Sequence, residues 1–362
     1  MNDDADVSRR QFLQRGVLAG AGATLVPGAS GHALGRPAAL EALPDGPVAI
    51  ASGNGVKAAR RAVEVMQSGG GTLDGVLEGV GLVEADPEDI TVGYGGIPNA
   101  EGDVQLGSAL MHGPTHGAGA VAALEGIMHP SKVARAVMER TDHVLVVGEG
   151  AQEFARMHGF EVQDLLTERA RKRWLRWKET HSDRDDYLPP SEGSGDDEMD
   201  ADLQKLKRNY GTIHCSALGA GGHLSSVTTT SGLFFKIPGR VADSAIVGAG
   251  LYADNDVGAA GSTGRGEANH KNLSCFLIVE RMRMGDAPQE ACLYACRRIA
   301  ENTVQERLLN DQGRPDFNVR FYAVNKAGAV GGAEIQPSGA TMAVADTGGA
   351  RRVELPSLYD GE

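Results

Sequence analysis

An α+β fold, in which two layers of strands lie between two layers of helices as a four-layer αββα sandwich, is what this sequence predicts. Three observations carry the prediction. Two segments of helical periodicity follow a short strand near residue 48, two strand pairs joined by glycine-rich turns fill the second half, and two more helical segments lie between those pairs.

Taken in order, Val48 to Ala51 reads as a short strand. Val56, Ala59, Val63 and Met66 then recur at helical spacing before the stop signal Gly69-Gly70-Gly71. A second helix opens at Thr72, expected as its N-cap, and places Leu73, Val76, Leu77 and Val80 on one face. Turns and short strands follow through Gly113, with hairpin chemistry at Asn99-Ala100-Glu101-Gly102-Asp103. His143 to Val147 reads as a buried strand leading into a helix that ends at Gly159. From 161 to 210 the pattern breaks: a basic run with Trp174 and Trp177, then Pro189-Pro190, then an acidic tract offer no core face, so a solvent-exposed flexible linker is expected. Beyond it, "TIHCSAL" and "HLSSVTTTSG" flank Gly219-Ala220-Gly221-Gly222 as a hairpin. "FYAVN" and "AVGGAEI" form another around Lys326-Ala327-Gly328, and helices are expected from Ala268 to Met284 and from Pro288 to Asn302.

Composition narrows the function. The chain has 362 residues, 41% of them hydrophobic, with 50 glycines and few aromatics, which suits a core crossed by many tight turns. A formal charge of -13 excludes a phosphate-tracking surface, so no nucleic-acid partner is expected. Cys215, Cys275, Cys292 and Cys296 show no C-x-x-C spacing and are expected as buried free thiols. No metal is expected either, because Gly113-Pro114 between His112 and His116 forbids the helix that would align them. Cofactors are expected to be absent: "GAGLYA" and "GSTGRGE" do not follow a strand and open a helix as a dinucleotide or phosphate loop requires.

Ser8-Arg9-Arg10-Gln11-Phe12-Leu13 is a twin-arginine pattern, followed by the mildly apolar stretch Gly16 to Val26. Residues 1 to 45 are read as a signal and leader, too short to persist as a spanning helix, which predicts export to the periplasm or beyond and no stable membrane anchor.

The junction Gly211-Thr212 stands where the linker ends and the strand-rich half begins. A threonine can act as a nucleophile when its own α-amine, with a pKa of about 7.7 to 8.0, serves as the base. An internal threonine acquires that amine only if the bond before it is cut, and the Thr212 hydroxyl attacking the Gly211 carbonyl would cut it. Around this junction, "GTIHCSALGAGGHLSSVTTTSGLFFKIPGRVADSAIVGAGLYADNDVGAAGSTGRGE" resembles the glycosylasparaginase and plant-type asparaginase family of N-terminal nucleophile hydrolases. "VGYGGIPNAEGD" and "VLVVGEGAQEFA" are also similar to that family's first subunit.

The resemblance implies a chain autocleaved into residues 46–211 and 212–362, the two pieces forming one domain and pairing as a dimer of heterodimers. It implies that Thr212 is the nucleophile and that Thr230 orients it. Arg240 and Asp243 would hold the α-carboxylate and α-ammonium of a small asparagine-derived substrate, with the Gly266 carbonyl assisting at the ammonium. Thr263 and the Gly264 N–H would form the oxyanion hole. Tyr210-Gly211 stands where glycosylasparaginases commonly place His-Asp, and "ASGNG" stands where they carry a tryptophan. Gly-Thr is instead the asparaginase and isoaspartyl-peptidase arrangement, and His214 replaces a usual glycine. The resemblance therefore implies hydrolysis of a side-chain amide, with glycosylasparagine, asparagine and isoaspartyl peptides as the candidate substrates. An uncut amino-acid-binding relative is the reading from another class.

Overall fold

In the computed structural model of the chain, residues 45–181 and 211–359 are described; the twin-arginine pattern and residues 182–210 lie outside them. The larger sheet has the order β12 (Gly349–Glu354), β11 (Thr341–Asp346), β1 (Val48–Ser52), β5 (Gly211–Leu218), β6 (Leu224–Gly232), β2 (Gln105–His112), β3 (Gly117–Glu125) and β4 (Leu145–Val147). Its pairs are antiparallel except β3 with β4. The smaller sheet has the order β10 (Val330–Glu334), β9 (Val319–Asn325), β8 (Gly258–Gly264) and β7 (Leu251–Asp254), antiparallel throughout.

Period-2 alternation decides what each strand buries. Ala49, Ala51, Ile213, Cys215, Ala217 and Val227 enter one core with Ala59, Val63, Val76, Val80 and Val133. These come from the helices α1 (Val56–Gln67), α2 (Thr72–Glu84) and α3 (Pro130–Arg140), which with α4 (Gly148–Met157) cover the outer face of the larger sheet. The opposite strand faces meet the smaller sheet in a second core holding Ile50, Met111, Leu218, Leu224, Tyr322 and Val344. On the far side of the smaller sheet, Phe321, Ala323 and Ala333 pack against α7 (Ser274–Arg283) and α8 (Pro288–Asn302) through Ile278, Cys292, Cys296 and Ile299. Helix, sheet, sheet, helix is thus the observed layering, as the sequence predicts.

Several elements differ from expectation. Thr72 is the first helical residue rather than the cap; the Gly71 N–H instead donates to Asp74 Oδ2 at 3.3 Å. The 143–147 strand is not buried: only Leu145–Val147 pairs, at the sheet edge, and Val147 is 52% exposed. A continuous 268–284 helix is interrupted, because Leu273 adopts φ 48° between α6 (Gly266–His270) and α7.

The largest correction concerns the expected linker. Its first part packs against the body, with Leu165 buried and helix α5 (Glu168–His181) burying Ala170 and Arg173. The Trp174 indole N–H donates to the Ala100 carbonyl at 3.1 Å, and Trp177 stacks on Phe235 with ring centroids 4.6 Å apart. A short helix held by two aromatic anchors has no continuous apolar stripe, which is why periodicity missed it. All four cysteines are free and buried. His112 bonds Thr115 and His116 bonds Tyr252, as separate loop contacts.

Candidate active site

Gly211 and Thr212 open β5 in the middle of the larger sheet, paired across to the end of β6 at Gly232. The register shifts between Gly211 and Ile213, so the Gly211–Thr212 peptide sits in an irregular step of the ladder. Thr91 crowds Gly211 on its other side: a Cβ placed there would lie 1.7 Å from Thr91 Cβ, so glycine alone fits. Thr91 is itself fixed, its N–H and hydroxyl both donating to Asp89 Oδ1, while Asn54 donates to Asp89 Oδ2 at 3.1 Å.

Thr212 is 8% exposed, and its hydroxyl lies 2.8 Å from the Gly211 carbonyl oxygen and 3.1 Å from Thr230 Oγ1. Thr230 donates to the same carbonyl at 2.6 Å and accepts the Gly232 N–H at 2.8 Å. One Thr212 proton cannot serve two acceptors. The arrangement satisfying all three groups runs from Thr212 to Thr230 to the Gly211 oxygen, leaving a Thr212 oxygen lone pair toward its own preceding carbonyl.

Next to this pair lies a cavity of about 30 Å³ walled by Gly211, Thr212, Thr230, Lys236, Arg240, Asp243, Gly264 and Gly266 among others. The structure therefore gathers Thr212, Thr230, Arg240, Asp243, Gly264 and Gly266 around one space. Thr263 does not wall it; its hydroxyl is 2.8 Å from the Tyr322 hydroxyl, between the sheets. Gly264, the last residue of β8, has φ 113°, a conformation that favours glycine.

Arg240 Nε and Nη2 both donate to Glu267 Oε1, at 2.8 and 2.6 Å. Arg240 holds the Glu267 carboxyl below its usual range against the opposing effect of burial. Asp243 Oδ2 accepts from Ser262 and from Asn269, both at 2.8 Å, and an added Cβ on Gly266 would come 2.4 Å from Oδ1. Burial raises the Asp243 carboxyl above the ordinary carboxylate value despite these donors and Arg240.

Lys236, Glu267, Thr91 and Tyr322 were not singled out from the sequence. Lys236 is buried, donates to the carbonyls of Gln105 at 2.8 Å and Ser231 at 2.6 Å, and burial lowers its ammonium to about 7. A lysine inside the apolar run "LFFKIPG" was the available signal. Among the described residues no group of three or more His, Cys, Asp or Glu could hold a metal ion. The "GAGLYA" segment forms a turn into strand β7 rather than a helix N-terminus, whereas "GSTGRGE", against expectation, ends β8 and opens the five-residue helix α6.

The αββα sandwich carries a threonine at the head of a central strand, a hydroxyl relay, and Arg240 and Asp243 on the wall of one cavity, and the chain belongs to the asparaginase family. The Asparaginase_2 family, described as asparaginase, matches residues 41–308. An N(4)-(beta-N-acetylglucosaminyl)-L-asparaginase from Elizabethkingia miricola is 40% identical over 315 residues, 86% of this chain and 85% of that protein. A mouse protein of the same name is 38% identical over 245 residues, 64% of this chain and 71% of its own length. An isoaspartyl peptidase/L-asparaginase from Xenopus laevis is 37% identical over 241 residues, 66% of this chain and 72% of its own length.

Proposed function

We propose that this amidohydrolase cuts itself between Gly211 and Thr212 and then hydrolyses the side-chain amide of asparagine-type substrates, with glycosylasparagine the first choice. The observation that carries the reading is the Gly211 carbonyl, whose oxygen accepts from Thr230 at 2.6 Å and lies 2.8 Å from the Thr212 hydroxyl oxygen. In processing, Thr212 Oγ adds to the Gly211 carbonyl carbon, the C–N bond breaks, nitrogen takes the hydroxyl proton, and the resulting ester is hydrolysed by water. The new amine then serves as base. It accepts the Thr212 Oγ proton as the oxygen attacks the substrate amide, Thr263 and the Gly264 N–H hold the oxyanion, and the proton passes to the departing nitrogen. Water hydrolyses the aspartyl ester and releases aspartate.

The small cavity supports this order of events. A space of about 30 Å³ is small beside an amino acid, and Gly211 is part of its wall, so a cut after Gly211 would free one side of it. Arg240 and Asp243 would bind the α-carboxylate and α-ammonium, with the Gly266 carbonyl at the latter. Glu267 must then share or release Arg240. The isoaspartyl peptidase and asparaginase reading is favoured by Gly211 before the nucleophile and by Gly53-Asn54 where a tryptophan would face a sugar.

Intact-mass measurement of the protein beside Thr212→Ala tests the first step: two fragments meeting at Gly211 and Thr212 are expected, absent in the variant. Rates on glycosylasparagine, asparagine and an isoaspartyl dipeptide then rank the substrates. A single uncut chain that binds aspartate and releases no product would overturn the proposal in favour of a binding protein. Export by the twin-arginine route and assembly as a dimer of cleaved heterodimers belong to the same proposal. They rest on Ser8 to Leu13 and on family resemblance, and replacing Arg9-Arg10 by Lys-Lys with cell fractionation, and light scattering of the processed protein, check them. Among the described residues no helix is long and apolar enough to cross a membrane.

A further inference from the structure

His214 lies two residues after the nucleophile on the same, inward face of β5, fully buried between the sheets. Its Nδ1 is 2.8 Å from Thr228 Oγ1 and its Nε2 is 2.9 Å from Ser216 Oγ. Thr228 donates to the Gly250 carbonyl at 3.2 Å, so its oxygen can only accept from the ring, which places the imidazole proton on Nδ1. Nε2 then accepts from Ser216, and Ser216 accepts from Ser226 at 2.8 Å. The chain Ser226, Ser216, His214, Thr228, Gly250 thus runs in one direction across the interior.

The ring occupies space that the other sheet vacates. Gly261 pairs with Tyr322 across β8 and β9, and a Cβ on Gly261 would lie 1.9 Å from His214 Nδ1. The imidazole stacks parallel to the Tyr322 ring, with an interplanar angle of 8° and centroids 6.2 Å apart. Tyr322 is buried, and its hydroxyl reaches Thr263 at 2.8 Å. Burial also pushes the Tyr322 phenol up, which keeps it a donor at working pH. When Tyr322 donates to Thr263 Oγ1, the threonine's own proton is left for the substrate oxygen.

We propose that His214 is a positioning residue for hydrolysis: seated on Gly261 and held by Ser216 and Thr228, its ring fixes Tyr322, whose hydroxyl turns the Thr263 proton toward the substrate oxyanion. This rests on the reading of Thr212 and Thr263 above. It is independent of processing, because neither Tyr322 nor Thr263 bonds the Gly211 carbonyl through the hydrogen bonds described.

The test compares the processed parent with His214→Gly, His214→Gln, Tyr322→Phe and the double variant His214→Gly/Tyr322→Phe, reading cleavage by intact mass and kcat and KM separately. Expected are full cleavage, KM within about twofold of the parent, and kcat lowered by about tenfold to a hundredfold in His214→Gly and Tyr322→Phe. Partial rescue is expected in His214→Gln, and little further loss in the double variant, since both changes act along one path. If His214→Gly does not fold, Tyr322→Phe decides by the same kcat criterion. A kcat within twofold of the parent in a fully cleaved variant, or losses that multiply in the double variant, would overturn the proposal. A parent that stays uncut and inactive would instead overturn the nucleophile reading beneath it, and the two failures are told apart by the mass of the parent alone.

Discussion

The two faces of strand β5 are equally buried and are held by different physics. Ile213, Cys215 and Ala217 point outward into the core beneath α1 and α2, where stabilisation scales with apolar area removed from water. Thr212, His214 and Ser216 point inward to the smaller sheet, where every polar group must find a partner because burying one unpaired costs about 1–3 kcal/mol. The outward face tolerates swaps of similar shape; the inward face tolerates only swaps that keep the hydrogen-bond polarity. Alternation in "TIHCSAL" therefore says which residues share a face, and in an antiparallel sheet the polar face would ordinarily be taken for the wet one. Here it is the buried interior beside the site.

The strongest way to break this comparison is at the head of the inward face. Thr212→Ala is expected to abolish both cleavage, read by mass, and amide hydrolysis, read by product release, with a loss of several orders of magnitude. Next, Thr263→Ala should lower kcat by about 10²–10³. A sharper contrast pairs neighbours on opposite faces. Ser216→Ala leaves His214 Nε2 without its donor and should cost about 1–3 kcal/mol in denaturant unfolding together with a reduced kcat. Cys215→Ser places an unpaired hydroxyl among apolar side chains at a similar cost in stability but leaves kcat unchanged. Equal effects of the pair on kcat would erase the distinction between the faces.

The remaining expected effect is acid sensitivity. Burial lowers the His214 imidazole from 6.5 to about 3, so between those values the unfolded chain binds a proton that the folded chain does not. Stability from this group is complete above pH 6.5 and is lost progressively as pH falls toward 3. His214→Gln should flatten that part of the curve, seen as a shrinking difference from the parent in urea midpoints as pH decreases.

The layers and the strand pairs around Gly219–Gly222 and Lys326–Gly328 were legible because turn residues and period-2 patterning mark them locally. So was the gathering of Thr212, Thr230, Arg240, Asp243, Gly264 and Gly266, through a resemblance spread over one continuous block. Helix α5 was not, because its attachment depends on Trp174 reaching Ala100 and Trp177 reaching Phe235, contacts with no signature along the chain. Tyr322 escaped for the same reason: its meaning comes from facing His214 and Thr263, distant in sequence. The missing burial at 143–147 is a matter of topology, since an apolar run does not announce that it ends a sheet.

The order of strands in the larger sheet carries one more consequence. Strand β1 lies between β11 and β5, while β6, after Thr212, pairs with β2, before it, so a cut before Thr212 would sever the backbone inside a woven fabric. The smaller sheet belongs wholly to the second piece, but the larger sheet is complete only with strands from both. A chain cut there should consequently melt in a single cooperative transition whose midpoint falls on dilution, because unfolding releases two molecules from one, while the one-to-one stoichiometry would be inherited from the single chain that folded.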